Sequence, residues 1–324
     1  MHFRSLIGAT ALAAALLTMS GTAAAESFPD HTVKIIVPTA PGGSIDATAR
    51  IVAEKLQTIW GTPVIIENRA GAGMRIGADA AAKSPADGYT WLIAHDGTLA
   101  MNAVIYPDLS YDPVQDFVAL GLISAIPEVI MVANKVPAKT LGEFLDYAKK
   151  NPGKINHATG GTATLLAAEL LKAMAGIEIE QVSYRGGAPA VTGLLSDDVE
   201  VCIADIATAN AALQSDRVKP LAVTTLTRIS QYPDIPTANE AGVPGYDVAT
   251  WVGAFAPAGT PKEVVEKIEA GIKEATKDPD VRAKLEKIGM QVRSGSASEM
   301  REVLAADIAK WGKLVREKNI KLAQ

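Results

Sequence analysis

An α/β fold of two lobes, each a mostly parallel sheet flanked by helices with a ligand cleft between the lobes, is what this sequence predicts. Three observations predict it. Short β-rich runs alternate with helical patterns over most of the length. The turns that join a strand to the next helix carry glycine beside serine or threonine. The 299 residues left of the 324 once residues 1–25 are set aside are also more than one hydrophobic core usually serves, since chains tend to split near about 250 to 300.

Residues 1–25 are set aside before any fold reasoning, because they read as a secretory signal. Arg4 gives a positive start, residues 6–19 are rich in Ala and Leu, and Ala23-Ala24-Ala25 offers a small-residue cleavage site before Glu26. The apolar part is shorter than the roughly 20 residues that span a bilayer. No cysteine lies near the cleavage point to carry a lipid, and a single arginine precedes the apolar run, so a soluble, exported mature chain is expected.

The mature sequence begins with a strand over 33–37 and a helix over about 45–60. Ile45, Ala49, Val52, Leu56 and Ile59 fall three or four residues apart and form one buried stripe. Strand 64–66, a Gly71-Ala72-Gly73 turn and a helix near 76–83 follow, and then strand 91–94, Asp96-Gly97-Thr98 and a short helix. A second unit repeats the scheme with strand 128–133, helix 141–149 and strand 155–158. There Thr159-Gly160-Gly161-Thr162 opens a helix to about 175. Strand 181–184 runs into Gly186-Gly187-Ala188-Pro189, with proline suited to a first helical turn, and strands 199–204 and 221–225 complete a sheet.

Residues 232–260 are rich in Pro and Gly around a strand at 251–256, and helices follow at about 261–276, 279–288 and 298–318. That helical tail has no sheet of its own, so it is expected to pack back on the first unit. The chain then crosses between lobes twice, near 120–128 and 222–228. Lobe 1 comprises 26–124 and 226–324, and lobe 2 comprises 125–225.

Composition excludes several function classes. Lys and Arg number 31 against 36 Asp and Glu, a net charge of −5, and no basic patch is visible for a nucleic acid to use. The single cysteine, Cys202, sits in the alternating run Val199-Glu200-Val201-Cys202-Ile203 and reads as a small buried hydrophobe. No metal-ligand cluster, H-E-x-x-H, C-x-x-C or G-x-S-x-G pattern is present, so no metal or cofactor is implied. Aromatic residues make up 5%, which argues weakly against a sugar site of stacked rings.

Positive indications come from the glycine turns. Pro41-Gly42-Gly43-Ser44 at the start of a helix is not G-x-G-x-x-G and lacks the lysine of a phosphate loop. It has counterparts at Gly97-Thr98, Gly160-Gly161-Thr162 and Gly186-Gly187, two turns from each unit. In parallel sheets such turns share the carboxyl ends of the strands, where ligands bind. Facing lobes then present N–H groups and hydroxyls to one cleft, an arrangement suited to a small carboxylate.

Eight stretches in order carry a resemblance: VPTAPGGSID (37–46), VIIENRAGAG (64–73), SPADGYTWLIAHDGTLAMN (84–102), YDPVQDF (111–117), NPGKIN (151–156), SYRGGAPAVTGLL (183–195), DIPTANEAGVPGY (234–246) and TWVGAFAPAGTP (250–261). Over the whole mature length the chain resembles the Bug (Bordetella uptake gene) family, periplasmic substrate-binding proteins of tripartite tricarboxylate transporters. The resemblance implies a type II-like periplasmic-binding-protein fold whose lobes close on a ligand carboxylate, in a monomer located in the periplasm. It implies delivery to the transporter's membrane subunits, with no cofactor. The positions matching the family's site are Pro41, Gly42, Gly43, Asp46, Gly97 and Thr98 in the first lobe. In the second they are Thr159, Gly160, Gly161, Thr162, Tyr184, Gly186 and Asp205.

The chain departs from that pattern in places. The turn after Asn156 is about two residues short, Leu165 stands where the family often has histidine, and Met74-Arg75 replaces small residues. Arg75 is a candidate partner for a second ligand carboxylate, with a solvated loop arginine as the alternative. Asp46, in a first helical turn, either anchors its loop or receives a ligand amino or hydroxyl group.

The expected function is therefore an exported binding protein, not an enzyme, that captures a di- or aromatic carboxylate. Two other readings stay open. An exported hydrolase or transferase could use the glycine turns as an oxyanion hole, with only Ser44 or Thr162 and His95 or His157 for nucleophile and base. A sensor domain could pass ligand occupancy to a membrane kinase.

Overall fold

The computed structural model describes residues 28–184 and 186–318, so the leader read from the sequence lies outside the described residues. The first sheet begins with β1 (Val33–Val37), β2 (Val64–Asn68) and β3 (Thr90–His95). β2 and β3 flank β1, all parallel. α1 (Ser44–Trp60) and α2 (Arg75–Ala82) make the crossovers. Ile45, Ala49, Val52 and Leu56 of α1 are buried, as the spacing predicts, and Gly61 ends the helix in the left-handed region. After β3 comes a π-helical turn (Gly97–Met101), which leads into α3 (Asn102–Ile105).

The fold then depends on one strand, β4 (Phe117–Ala133), which belongs to two sheets. Residues 117–127 pair with β9 (Ala249–Pro257), and residues 128–133 pair with β7 (Val201–Asp205) and β8 (Val218–Val223). The sequence reading recognised only the second half. Gly121 and Pro127 break the apolar run, and two irregularities in the β4–β9 register interrupt its alternation.

The second sheet holds β5 (Asn156–Thr159) between β6 (Glu180–Ser183) and β7, all parallel, with β4 antiparallel to β7 and β8. α4 (Leu141–Lys150) and α5 (Thr162–Ala175) cover one face, and α6 (Gly187–Leu195) and α7 (Ile206–Leu213) cover the other. In each sheet most strands run one way, with β9 and β10 (Gln291–Gly295) opposed in the first and β4 opposed in the second. The reason is the connectivity: β4 leaves the first lobe and β9 returns to it, so the two lie antiparallel, and β9 also opposes β3. The tail, α8 (Lys262–Lys277), α9 (Pro279–Lys287), β10 (Gln291–Gly295) and α10 (Ala297–Lys318), packs on the first sheet, with β10 antiparallel to β4.

The return crossing lies later than residues 222–228. Ile229 and Ile235 pack in the same core as Val129 and Met131, and the Tyr246 hydroxyl donates to the Ala167 carbonyl at 2.9 Å. Across the same segment Val223 N–H donates to Pro236 C=O and Val223 C=O accepts from Ala238 N–H, both at 2.8 Å. The proline-rich stretch therefore belongs with the second sheet, and the chain goes back to the first at Val248–Ala249. Its turns are built by short polar pairs such as Thr237 and Glu240, which satisfy each other's N–H groups.

At the crossing the strands are tied together. Glu128 N–H donates to Thr224 Oγ1 at 3.0 Å, Glu128 C=O accepts from Thr224 N–H at 2.9 Å, and Val248 N–H donates to Thr224 C=O at 2.9 Å. Pro127 pairs with Ala249 in the β4–β9 ladder. No helix among the described residues is long and apolar enough to cross a membrane.

One core group makes stability depend on pH. His157 on β5 is buried, its Nε2 has no partner, and burial together with nearby Lys172 pushes its pKa down to about 3. A depressed folded pKa means the unfolded chain binds the extra proton first. The contribution is present above the unfolded value and is lost as pH falls from there towards about 3. Accordingly, the melting temperature of His157→Leu should gain on that of the wild type as pH drops from about 7 to about 4. A constant gap across that range, read by calorimetry, would rule out His157 as a source of acid sensitivity.

Candidate functional site

Parallel β1, β2 and β3 end at one edge of the first sheet, and β5, β6 and β7 end at one edge of the second. The register through β4 brings the two edges together. His95 at the end of β3 lies level with Val252 and Ser124, and Asp205 at the end of β7 lies opposite Glu128, four residues further along β4. The strand-to-helix turns of both lobes therefore converge over the middle of that strand.

The way the helices start separates the turns into two kinds. α1, α5 and α6 begin at Gly43, Gly161 and Gly186, and no side chain caps any of them. By contrast Thr140, Asp205 and Asp278 cap α4, α7 and α9 with their own oxygens. An uncapped helix start leaves first-turn N–H groups and a partial positive charge for something else. An anion placed there gains about 0.3–1 kcal/mol when exposed and up to about 2 kcal/mol when partly buried.

The first turn is held from behind by Asp46. Its carboxylate is buried and accepts from Gly42 N–H at 2.9 Å, Arg50 Nε at 3.0 Å and Asn68 Nδ2 at 2.9 Å. Burial alone raises its pKa, but the bonds from Arg50, Gly42 and Asn68 together outweigh it and hold the carboxyl below the usual range. Asn68 also donates to the Thr39 carbonyl at 3.1 Å, so the loop is clamped on both sides of Pro41. Asp46 is thus the anchor, and Pro41, Gly42 and Gly43 remain exposed. Gly42 has φ +91°, a conformation that calls for glycine.

In the second lobe the turns brace each other. A Cβ on Gly160 would lie 2.5 Å from Gly187 N and 2.6 Å from Gly186 C, so the two loops touch backbone to backbone. Thr159 is buried, and its hydroxyl bonds to Gly161 C=O and Thr164 Oγ1, both at 3.0 Å. Thr162 is the first residue of α5. Asp205 spends both oxygens on Thr208, from N–H at 2.8 Å and Oγ1 at 2.6 Å.

Other residues singled out in the sequence stand differently. Gly97 and Thr98 are buried; Gly97 N–H donates to Asp96 Oδ1 at 2.7 Å and His95 Nδ1 at 2.9 Å, and Thr98 Oγ1 faces Met74 Sδ at 3.5 Å. Buried Tyr111, from the YDPVQDF stretch, donates to Thr98 C=O at 2.5 Å, and burial pushes its phenol up to about 12. Tyr184 meets the glycine turns through its backbone, its N–H donating to Thr159 C=O at 2.9 Å, while its hydroxyl lies against Gly193, near the far end of α6. Arg75 lies with its guanidinium 4.0 Å from the Tyr106 ring centroid, and its Nε donates to Ala72 C=O at 2.9 Å. Ala72 and Met74, in the same turn, hold positive φ without being glycine, a local strain of the kind found where a loop is constrained.

Sequence reasoning missed Glu128. It is buried on β4 between the two sets of turns, and its Oε2 has no hydrogen-bond partner. Burial, reinforced by Asp96 and Asp205, pushes its pKa up to about 8. A lone acid inside the run IPEVIMVA was the available signal, because a buried carboxyl is costly unless something receives it.

Two substitutions test the scaffold without any ligand. Asp46→Ala should lower stability by about 1–3 kcal/mol, because it strands Gly42 N–H and Asn68. Gly160→Ala should lower it by about 1–3 kcal/mol by forcing two backbones apart. Gly161→Ala is the control, since its Cβ meets nothing within 4 Å, and urea midpoints should rank it with the wild type.

Comparison with known proteins fits this geometry. The sequence matches the tripartite tricarboxylate transporter family receptor, TctC, over residues 48–320. Protein BugT of Bordetella pertussis is 30% identical over 325 residues, covering 99% of this chain and all of that protein. Among solved structures, R. palustris Rpa4515 with adipate is 34% identical with a TM-score of 0.74, covering 89% of this chain and 97% of the other. MatC from Rhodopseudomonas palustris with bound malate is 31% identical with a TM-score of 0.71, covering 89% and 100%. These likenesses fix both the two-lobed fold and the class of protein, a solute receptor rather than a hydrolase or transferase. The chain belongs to the TctC family of tripartite tricarboxylate transporter receptors.

Proposed function

We propose that this protein is an exported receptor that closes its two lobes on a small organic carboxylate and delivers it to the membrane subunits of a tripartite tricarboxylate transporter. The observation that carries the reading is the pair of uncapped helix starts, α1 from one lobe and α5 from the other, at converging sheet edges. Backbone N–H groups at Gly43 and at Gly161-Thr162 would hold the anion, with Gly42 and Gly160 tied to Asp46 and Thr164, and Asp46 and Asp205 shaping the turns from behind. Arg75 joins them as a rim contact for a second carboxylate if its stack on Tyr106 opens. A di- or aromatic carboxylate is favoured, and the adipate and malate held by related receptors support the dicarboxylate. The leader at residues 1–25 and the family support a periplasmic location for a soluble monomer.

Closure is a population shift, driven by how much better the closed state holds the anion. The strands at Pro127–Glu128, Thr224 and Val248–Ala249 are the place where the lobes would pivot, which divides the chain into 28–127 with 249–318 against 128–248.

A thermal-shift screen of the mature protein against mono-, di- and tricarboxylates should raise the melting temperature with at least one of them. Sugars, cations or neutral amides acting where no carboxylate does would sink the reading. Gly43→Ala and Gly161→Ala should each weaken the carboxylate that binds by about tenfold or more, since the new methyl stands where the ligand must approach the backbone. Neither methyl meets a protein atom closer than 4.0 Å, so the fold itself should be unaffected. For Arg75→Ala, a greater loss for a dicarboxylate than for its monocarboxylate analogue is expected. Equal losses would leave Arg75 with Tyr106 alone.

A further inference from the structure

Glu128 occupies a position that no structural role accounts for. Ser124, Ile126 and Glu128 share one face of β4. In the first lobe that face looks into the core that holds Val252, opposite Ser124, together with Ile268 and Ile272 of α8. In the second lobe the same face continues through Ile130 and Val132, which pack with Leu166 and Leu171 of α5. Glu128 therefore lies where the two sheets meet, opposite Asp205 at the end of β7 and four residues from the position level with the end of β3.

Its backbone is fully engaged by Thr224, so the side chain is placed by a rigid element. Oε2 is buried and unpartnered, and so is Ser124 Oγ four residues away on the same face. A buried polar atom without a partner calls for an explanation, and these two share one strand face where the turns converge. The charges that act on Glu128 come from both lobes, Asp96 from the turn after β3 and Asp205 from the end of β7. Cys202 and Tyr246 are the other titratable groups that feel it. Asp96 and Asp205 are already occupied as caps, whereas Glu128 is not.

We infer that Glu128 reads the part of the ligand beyond its carboxylate, accepting a hydrogen bond from a hydroxyl or ammonium group carried next to that carboxylate. The inference rests on the carboxylate-receptor reading above. A donor is favoured over a second acceptor because Asp96 and Asp205 make the pocket floor electronegative. Asp46, the other acid that the sequence offered for this task, is spent on its loop. The two donor types differ in proton balance. A hydroxyl leaves the Glu128 proton in place and bonds to the carboxyl oxygen, whereas an ammonium ion pairs with the carboxylate and displaces that proton to the buffer.

The test uses matched acids of three lengths: propanoate, lactate and alanine; succinate, malate and aspartate; glutarate, 2-hydroxyglutarate and glutamate. In at least one set the wild type should bind the hydroxy or amino member about tenfold or more tightly than the unsubstituted acid. In Glu128→Leu that preference should shrink to about threefold or less, and Glu128→Gln, which keeps an acceptor but cannot ionise, should retain it for the hydroxy acid only. Calorimetry in two buffers of different ionisation enthalpy then assigns the donor, because an amino ligand releases a proton in the wild type and none in Glu128→Gln. Binding of unsubstituted carboxylates with no preference, or a preference that survives in Glu128→Leu, overturns the inference while leaving the receptor reading intact. Silence of every carboxylate in the wider screen overturns both.

Discussion

The structure depends on the continuity of β4. One strand of 17 residues serves as an interior strand of two sheets, so neither sheet is complete without it. A flexible linker would let the lobes drift apart at little cost. A shared strand instead fixes which edges of the two sheets face each other, because the ladder hydrogen bonds on both sides of Pro127–Glu128 set the register of everything beyond. The freedom left is a bend and twist about the short stretch where β4, Thr224 and Val248 are bonded together. Polar bonds at that fulcrum hold the strands at the pivot without filling the cleft above it.

That constraint explains how the acidic residues are used. A carboxylate receptor should avoid unneutralised acids near its ligand, yet Asp46, Asp96 and Asp205 all stand beside the converging turns. Each is committed: Asp46 to Gly42, Arg50 and Asn68, Asp96 to Gly97, and Asp205 to Thr208. Their negative charge meets local N–H donors or a cation, and the loops they shape leave other N–H groups pointing outward. Side chains build the turns, and the first-turn backbone of α1, α5 and α6 is left without a side-chain cap.

Much of this was legible in the sequence, and what was not has physical causes. The strands and helices on either side of each glycine turn follow from periodicity, and so do the turns themselves, because a strand end, a Gly pair and a helical stripe are local signals. β4 was only half visible because a crossing strand bends, and its Gly121 and bulges erase the alternation on which recognition depends. The late return crossing was hidden for a related reason: residues 232–248 look like a loop but are fixed to the second sheet by distant partners such as Ala167. Among site residues, Asp46 was identified, but its bond from Asn68, 22 positions away, could not be read from local sequence. Tyr184 was singled out from motif position and Arg75 as a departure from the motif, and neither the contact of the Tyr184 hydroxyl with Gly193 nor the stack of Arg75 on Tyr106 is signalled by local sequence.

Glu128 shows why burial has to be weighed against the need for a partner. A carboxyl removed from water at a strand junction costs stability whether it stays neutral or ionises, and an apolar residue of similar size would cost nothing there. The surrounding strand is otherwise apolar from Val129 to Ala133, so the substitution was available to the fold without rearrangement. Ser124 Oγ repeats the pattern on the same face, where an alanine would pack as well. Groups that are expensive in the empty protein and become satisfied when the cleft is occupied lower the free energy of the bound state relative to the free one. Placed at the pivot, they make that difference sensitive to what lies between the lobes. On the proposed reading the acid and the bare helix starts would divide the work: the starts would recognise that the ligand is an anion, and Glu128 would distinguish one anion from another.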